Sequence, residues 1–157
     1  MKQMILAAFD ESENAMRAVQ YIADSYTPEN KVTLFSVIPD AAALFEMSTV
    51  PLNPYFLSHQ QTFFTEMEKQ KRENLNKAVE KAKALLLKAG FKEKNIAVKI
   101  EIENIGVAND IVKEAESGYD IIVMGRRGLS SIKEFLLGSV SQKVIHLAKD
   151  ISVLIVN

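Results

Sequence analysis

The chain has 157 residues, of which 48% are hydrophobic and 25% are charged, and this composition is typical of one globular domain. Nineteen lysines and arginines against twenty aspartates and glutamates leave a net charge of -1, which argues against nucleic acid and anionic membranes as partners. Because the sequence contains no cysteine, disulfides, thiolate metal ligands and thiol catalysis are excluded. No apolar stretch has the length of a membrane span, and we expect a cytoplasmic protein with a single domain over residues 1–157.

The first part of the chain predicts a strand, a helix and a second strand. Residues 4–9 form an apolar run without alternation, which is typical of a strand buried on both faces. Apolar residues then recur at helical spacing over 15–26, and Ser12 is placed to cap this helix. Residues 32–38 are rich in β-branched and aromatic side chains and predict the second strand.

The segment from Ala41 to Ser58 fits neither the helical nor the strand period. It is mostly apolar and carries a single charge, Glu46. Connections of this length are usually functional or disordered, and disordered segments are seldom so apolar. Two interpretations stay open: a loop that packs down and extends the core, or a flap over a ligand or a partner surface.

The rest of the chain predicts three helices that alternate with three strands. The strand at 96–102 alternates apolar and polar residues, so one of its faces is in water and we place it at a sheet edge. The strand at 121–124 is apolar throughout, which favours burial on both faces. The predicted elements are a helix from about Gln60 to Ala89, a strand at 96–102, a helix over about 108–117, a strand at 121–124, a helix at 139–149 and a strand at 152–156.

Strict alternation of strands and helices predicts an α/β fold, a three-layer sandwich in which helices cover both faces of a parallel sheet. Ligands of such sheets bind beyond the carboxyl ends of the strands. The candidates for ligand binding are therefore the residues at strand ends: Asp10 after the first strand, Val37 near the end of the second, and residues 125–128 after the fourth.

The loop that follows the fourth strand has the features of an anion site. Gly125 and Gly128 are the first and last residues of the segment 125–128, and Gly138 precedes the last helix. Glycine lets a backbone approach a phosphate closely, and a helix start offers free N–H groups and a partial positive charge. Ser139 and Ser141 add hydroxyl groups, and residues 124–143 carry four cations against one anion. This local charge of +3 favours an anionic ligand.

The motif Gly-x2-Gly-x9-Gly-Ser at residues 125–139 resembles the nucleotide motif of the universal stress protein family. Residues 7–13 resemble that family's first strand and its acidic turn, and residues 139–146 and 152–156 resemble its last helix and strand. The resemblance covers essentially the whole chain. It implies a five-stranded parallel sheet of order 3-2-1-4-5, the adenine nucleotide alpha-hydrolase-like, Rossmann-like arrangement.

The motif is most similar to the ATP-binding branch of the family, and this resemblance implies which residues meet the nucleotide. Asp10 matches a residue at the adenosine, Val37 matches a residue that contacts adenine, and the glycines with Ser139 match residues that hold ribose and phosphates. Glu11 stands where many members have glycine, which leaves open how the first turn fits the ribose. The nucleotide-binding residues that we predict are Ala8, Phe9, Asp10, Val37, Met124, Gly125, Arg126, Arg127, Gly128, Gly138, Ser139, Val140 and Ser141.

The expected function is a nucleotide-dependent regulatory binder in the stress response, with ATP and magnesium as its cofactors and ADP or AMP as open alternatives. No combination of residues demands catalysis, and Asp10 is the nearest candidate base for ATP hydrolysis. The apolar strand at 152–156 is an edge in the implied order, and we expect a homodimer through it. Two alternatives stay open: a slow ATPase or other adenine-nucleotide enzyme, and a nucleotide-independent dimeric interaction module that uses the apolar 41–58 segment.

Overall fold

The structure, a computed structural model, describes residues 2–40, 54–128 and 137–157. Within these ranges five strands alternate with four helices, and a short 3₁₀ turn precedes the third strand. The elements are β1 (Met4–Ala8), α1 (Glu13–Ser25), β2 (Lys31–Ile38), α2 (Pro54–Lys88), the 3₁₀ turn (Glu93–Asn95), β3 (Ile96–Ile102), α3 (Val107–Ala115), β4 (Ile121–Gly125), α4 (Ser139–Leu147) and β5 (Ser152–Val156).

The five strands form one parallel sheet in the order β3-β2-β1-β4-β5. This confirms the predicted fold class and strand order, and it confirms the edge position of β3. Ala8 at the end of β1 pairs with Phe35 of β2 on one side and with Met124 of β4 on the other. The carboxyl ends of these three central strands therefore lie side by side at one edge of the sheet.

The sheet separates two hydrophobic clusters, one under each layer of helices. On β1, Ile5 and Ala7 belong to the cluster covered by α1 and α2, whereas Leu6 and Ala8 belong to the cluster covered by α3 and α4. Both sets are almost completely buried, which confirms that an apolar run without alternation marks a strand covered on both faces. Burial on both sides leaves the ends of the central strands as the places where a ligand can reach them.

The turn between β1 and α1 is fixed by two short hydrogen bonds. The Ser12 hydroxyl accepts a hydrogen bond of 3.1 Å from the backbone N–H of Ala15, so Ser12 caps α1 as predicted. The backbone N–H of Ser12 in turn donates to Oδ1 of Asp10 over 2.9 Å. The carboxylate of Asp10 is therefore held in one orientation at the carboxyl end of β1.

Helix α2 begins at Pro54, earlier than the predicted start near Gln60. Proline is favoured in the first turn of a helix, where its missing N–H costs no hydrogen bond. Residues 54–58 thus belong to α2 and not to a loop or flap, whereas residues 41–53 of the predicted flap lie outside the described residues.

Neither α2 nor any other helix in the described part of the chain combines the length and apolarity that crossing a bilayer requires.

The edge strand β3 is tied to α3 by a charged network. Nζ of Lys99 lies 2.6 Å from a carboxylate oxygen of Glu114 and 3.0 Å from one of Glu101, and these hydrogen bonds raise the pKa of Lys99. The Tyr119 hydroxyl lies 3.1 Å from that of Thr33 and 3.2 Å from Glu114, and burial raises the pKa of Tyr119. Charged residues on an edge strand oppose pairing with a further chain. The other edge strand, β5, is without a charged residue.

Candidate functional site

A cavity of about 490 Å³ opens at the carboxyl ends of β1, β2 and β4. This is the place that the parallel topology predicts for a ligand. The cavity is lined by almost all of the residues that the sequence analysis nominated, namely Ala8, Phe9, Asp10, Val37, Met124, Gly125, Arg127, Gly128, Gly138, Ser139, Val140 and Ser141. Residues far apart in the sequence are thereby brought to one site.

Arg126 is the nominated residue that does not line this cavity. Its guanidinium donates a hydrogen bond of 3.2 Å to the side chain of Asn157, beyond the end of β5. Its backbone is nevertheless part of the loop, because its carbonyl accepts a hydrogen bond of 2.9 Å from the N–H of Gly138. Arg126 therefore joins the glycine loop to the start of α4 through its main chain.

The part of the cavity next to β2 is apolar apart from Ser36, whose hydroxyl donates a hydrogen bond of 2.7 Å to the carbonyl of Phe9. Phe35 and Val37 of β2 belong to the same hydrophobic cluster as Val107 and Ile111 of α3, and all four line the cavity. Phe35 and Ile111 are almost completely buried, so the wall is formed by the core itself. A flat, apolar group with few hydrogen-bonding demands fits such a wall.

The part of the cavity next to β4 is formed by the glycine loop, which passes directly over Asp10. A methyl group placed on Gly128 would lie 2.8 Å from Oδ2 of Asp10. Since a non-bonded Cβ does not approach an oxygen this closely, any side chain at this position would displace the Asp10 carboxylate. The loop backbone and the Asp10 carboxylate together form the floor between β1 and β4.

Gly125 has a different structural role from Gly128. A methyl group on Gly125 would lie 2.6 Å from the backbone carbonyl carbon and oxygen of Asn14 in the first turn of α1. Gly125 therefore allows α1 to pack against the end of β4. The motif combines a glycine required for packing with a glycine that faces the cavity, a distinction that the sequence spacing does not reveal.

The first turn of α4 faces the cavity with its backbone donors. Ser139, Val140 and Ser141 all line the cavity, and the first hydrogen bond within the helix is donated by Gln142 to the carbonyl of Gly138, over 2.9 Å. The N–H groups of a first helical turn lack partners inside the helix and carry part of the positive end of the helix dipole. This turn is therefore suited to an anionic group.

The two serines of this turn differ in what their hydroxyls do. Oγ of Ser141 lies 3.0 Å from the carbonyl oxygen of Arg126 and 3.2 Å from that of Gly125, so its hydroxyl donates to the loop backbone. Ser141 is also buried, with 2% of its surface exposed. It stabilises the contact between α4 and the glycine loop, which leaves Ser139 as the serine whose hydroxyl can serve a ligand.

Sequence analysis missed an ion pair in the cavity wall. Nζ of Lys71 in α2 lies 2.7 Å from Oε1 of Glu11 in the turn after β1, and both residues line the cavity. In the sequence Glu11 stands out only as a departure from the family pattern. Lys71 is one of many lysines on the polar side of a long helix, and no spacing in the sequence connects it with Glu11.

The charges of the cavity wall are balanced. Among the described lining residues, Lys71 and Arg127 carry positive charge and Asp10 and Glu11 carry negative charge. The excess of +3 expected for residues 124–143 is thus not concentrated at the described wall, and residues 133–134 of that stretch lie outside the described residues.

Within the described ranges, no group of three or more histidines, aspartates and glutamates is close enough to hold a metal ion.

Comparison with known proteins agrees with this fold. The sequence profile of the Universal stress protein family matches residues 1–157. The universal stress protein YxiE of Bacillus subtilis is 30% identical over 149 residues, which cover 94% of this chain and 95% of that protein. Universal stress protein MJ0577 of Methanocaldococcus jannaschii is 43% identical over 83 residues, which cover 52% of this chain and 43% of that protein, so the aligned segment spans less than half of that relative.

Solved structures lead to the same grouping. The structure of MJ0577 superposes with a TM-score of 0.71 at 30% identity and covers 99% of this chain and 96% of its own. A universal stress protein in complex with cAMP superposes with a TM-score of 0.60 at 22% identity over 99% of this chain and 97% of its own, a likeness that shows the fold alone. A family profile that covers the full sequence and a relative aligned over nearly its whole length together establish the family. The chain belongs to the universal stress protein family.

Proposed function

We propose that this protein is an ATP-binding member of its family, which acts in the cytoplasm as a nucleotide-dependent regulator of the stress response. The observation that carries the proposal is one cavity in which an apolar wall, a carboxylate, a glycine loop and a helix N-terminus succeed one another across three strand ends. A nucleotide presents the matching sequence of groups, from an aromatic base through a sugar to phosphates.

The adenine fits the apolar wall beside β2. Val37 of β2 with Val107 and Ile111 of α3 offers a hydrophobic surface on which a base can stack. The resemblance of the motif to the ATP-binding branch implies the same position for adenine, because it matches Val37 to a residue in contact with the base.

The phosphates fit the opposite side, between the glycine loop and α4. Gly128 permits close approach of a phosphate to the loop backbone, and the first turn of α4 offers N–H donors and a partial positive charge. The Ser139 hydroxyl and Arg127 lie at the same wall. Magnesium would be bound chiefly by the phosphates themselves, as is common for this ion.

Binding without rapid turnover is the activity that these residues support. Hydrolysis requires a positioned water, a base, and a group that stabilises the transition-state charge. In the described wall Asp10 is the carboxylate beside the loop, and its Oδ1 already accepts the N–H of Ser12. We therefore propose that the bound state itself, and not a product, is the output.

The test is calorimetric titration of the purified protein with Mg-ATP, alongside analysis of nucleotide released on denaturation. We expect saturable binding, and we expect Asp10→Ala to weaken it about tenfold, because hydrogen bonds to charged groups contribute about 1.5–3 kcal/mol. Absence of both released nucleotide and heat of binding would refute the proposal. Multiple turnovers of ATP that Asp10→Ala abolishes would instead identify an enzyme.

We also propose that the protein is a homodimer in which β5 pairs with its own copy. Ser152–Val156 is an edge strand without a charged residue, and four of its five side chains are only half-buried. An unprotected apolar edge favours pairing with another chain, and a two-fold axis closes such pairing after two copies. Sedimentation should give twice the mass of one chain at micromolar concentration. A monomer under these conditions would rule this dimer out.

A further inference from the structure

The ion pair of Glu11 and Lys71 leaves one carboxylate oxygen unused. Oε1 of Glu11 lies 2.7 Å from Nζ of Lys71, whereas Oε2 is buried and has no hydrogen-bond partner among the described residues. A buried acceptor without a donor is costly, and more so when it is charged. Rotation about the terminal bond of a glutamate is soft, so this oxygen can turn toward a donor that enters the cavity.

The position of Glu11 in the sheet determines which part of a nucleotide it meets. Glu11 follows β1, which lies between β2 and β4, and neighbouring strands are about 4.8 Å apart. The apolar wall belongs to β2 and the glycine loop to β4. When the base lies on the apolar wall and the phosphates lie at the loop, the sugar lies over the end of β1.

The chemistry of a carboxylate selects the same part of the ligand. Phosphate oxygens are negatively charged acceptors and are repelled by Glu11, whereas sugar hydroxyls are donors. The neighbouring Asp10 already uses Oδ1 for the N–H of Ser12, and its Oδ2 faces Gly128. Glu11 is therefore a second carboxylate of this turn with an oxygen left for a ligand, and this oxygen is buried.

From these observations we infer that Glu11, oriented by Lys71, accepts a hydrogen bond from the ribose diol and makes the site selective for ribonucleotides over deoxyribonucleotides. The inference rests on the proposed binding of adenine nucleotides and adds a specificity-determining residue to it. Lys71 acts as a positioning residue, because its ion pair with Oε1 keeps the Glu11 carboxylate at the cavity wall.

The experiment compares ATP, 2′-deoxyATP and 3′-deoxyATP by calorimetric titration of four proteins. These are the wild type, Glu11→Gln, Glu11→Leu and the matched control Glu13→Gln. Glu13 lies two residues further along the same turn, but its side chain is 94% exposed and does not line the cavity. Thermal unfolding by circular dichroism verifies that each variant is folded, and Glu11→Gln, which keeps the shape of the side chain, serves if Glu11→Leu does not fold.

For the wild type and Glu13→Gln, we expect the affinity for ATP to exceed that for at least one deoxy analogue by about tenfold or more. Glu11→Leu should remove this preference, and Glu11→Gln should reduce it, because its neutral amide oxygen is a weaker acceptor. Equal affinity of the wild type for ATP and both analogues, or an unchanged preference in both Glu11 variants, would overturn the inference while leaving nucleotide binding intact. Failure of the wild type to bind any adenine nucleotide would overturn the proposed function and this inference together.

Discussion

Gly128→Val is expected to lower the affinity for ATP by at least about a hundredfold while the chain stays folded. The φ angle of Gly128 does not lie in the left-handed region, so the backbone there can accept a side chain. The nearest atom to an added Cβ is Oδ2 of Asp10, at 2.8 Å, which is the end of a side chain and is displaced at less cost than a backbone atom. The damage therefore falls on the cavity: Asp10 is displaced and the loop backbone is shielded from phosphate.

The size of this effect follows from the contacts that are lost. Hydrogen bonds between backbone donors and a charged phosphate contribute about 1.5–3 kcal/mol each, and the loss of two of them amounts to about a hundredfold or more. Calorimetric titration with Mg-ATP measures the affinity, and urea denaturation of the same sample verifies the fold. An unchanged affinity in a folded Gly128→Val protein would show that phosphate does not bind at this loop.

The same substitution three residues earlier, at Gly125, should mainly lower the stability of the fold. We expect Gly125→Val to lower the free energy of unfolding by about 3 kcal/mol, because overpacking a close backbone contact forces main-chain movement. An added Cβ would lie 2.6 Å from the carbonyl carbon and oxygen of Asn14, and backbone atoms in the first turn of α1 cannot rotate away as a side chain can. A loss of this size is large against the 5–15 kcal/mol that typically stabilises a domain.

The two glycine variants are matched controls for each other. Both change glycine to valine within the four residues 125–128, so a difference between them reports on what each glycine contacts. Urea denaturation monitored by circular dichroism should show a lower midpoint for Gly125→Val and a nearly unchanged one for Gly128→Val. A Gly125→Val protein as stable as the wild type would contradict the close packing of α1 against β4.

Much of the fold is predictable from the sequence because each element has a local cause. Apolar runs without alternation mark β1 and β4, since a strand covered by helices on both faces has no polar side. The alternation in β3 marks an edge, and the hydroxyl of Ser12 marks the start of α1. The predicted start of α2 near Gln60 is too late, because proline is favoured in a first helical turn as well as in loops and the helix begins at Pro54.

The site is predictable to a lesser extent, since its chemistry depends on contacts between distant residues. Strand ends in a parallel sheet meet at one edge, and this general rule places Asp10, Val37 and the glycine loop in one cavity. The rule does not specify the orientation of each side chain. Arg126 points to Asn157, and the hydroxyl of Ser141 donates to the loop backbone.

By itself the sequence determined the class of fold and the order of elements, because the periodicity of apolar residues is a local pattern. It also determined the location of the cavity, because ligands of parallel sheets bind at the carboxyl ends of the strands. The tertiary structure alone decided how the motif is divided between packing at Gly125 and the cavity at Gly128. It alone joined Glu11 to Lys71, sixty residues further along the chain, and so balanced the charge of the described wall. The physical reason is that ion pairs and close backbone contacts depend on distances between elements, which local sequence patterns do not encode.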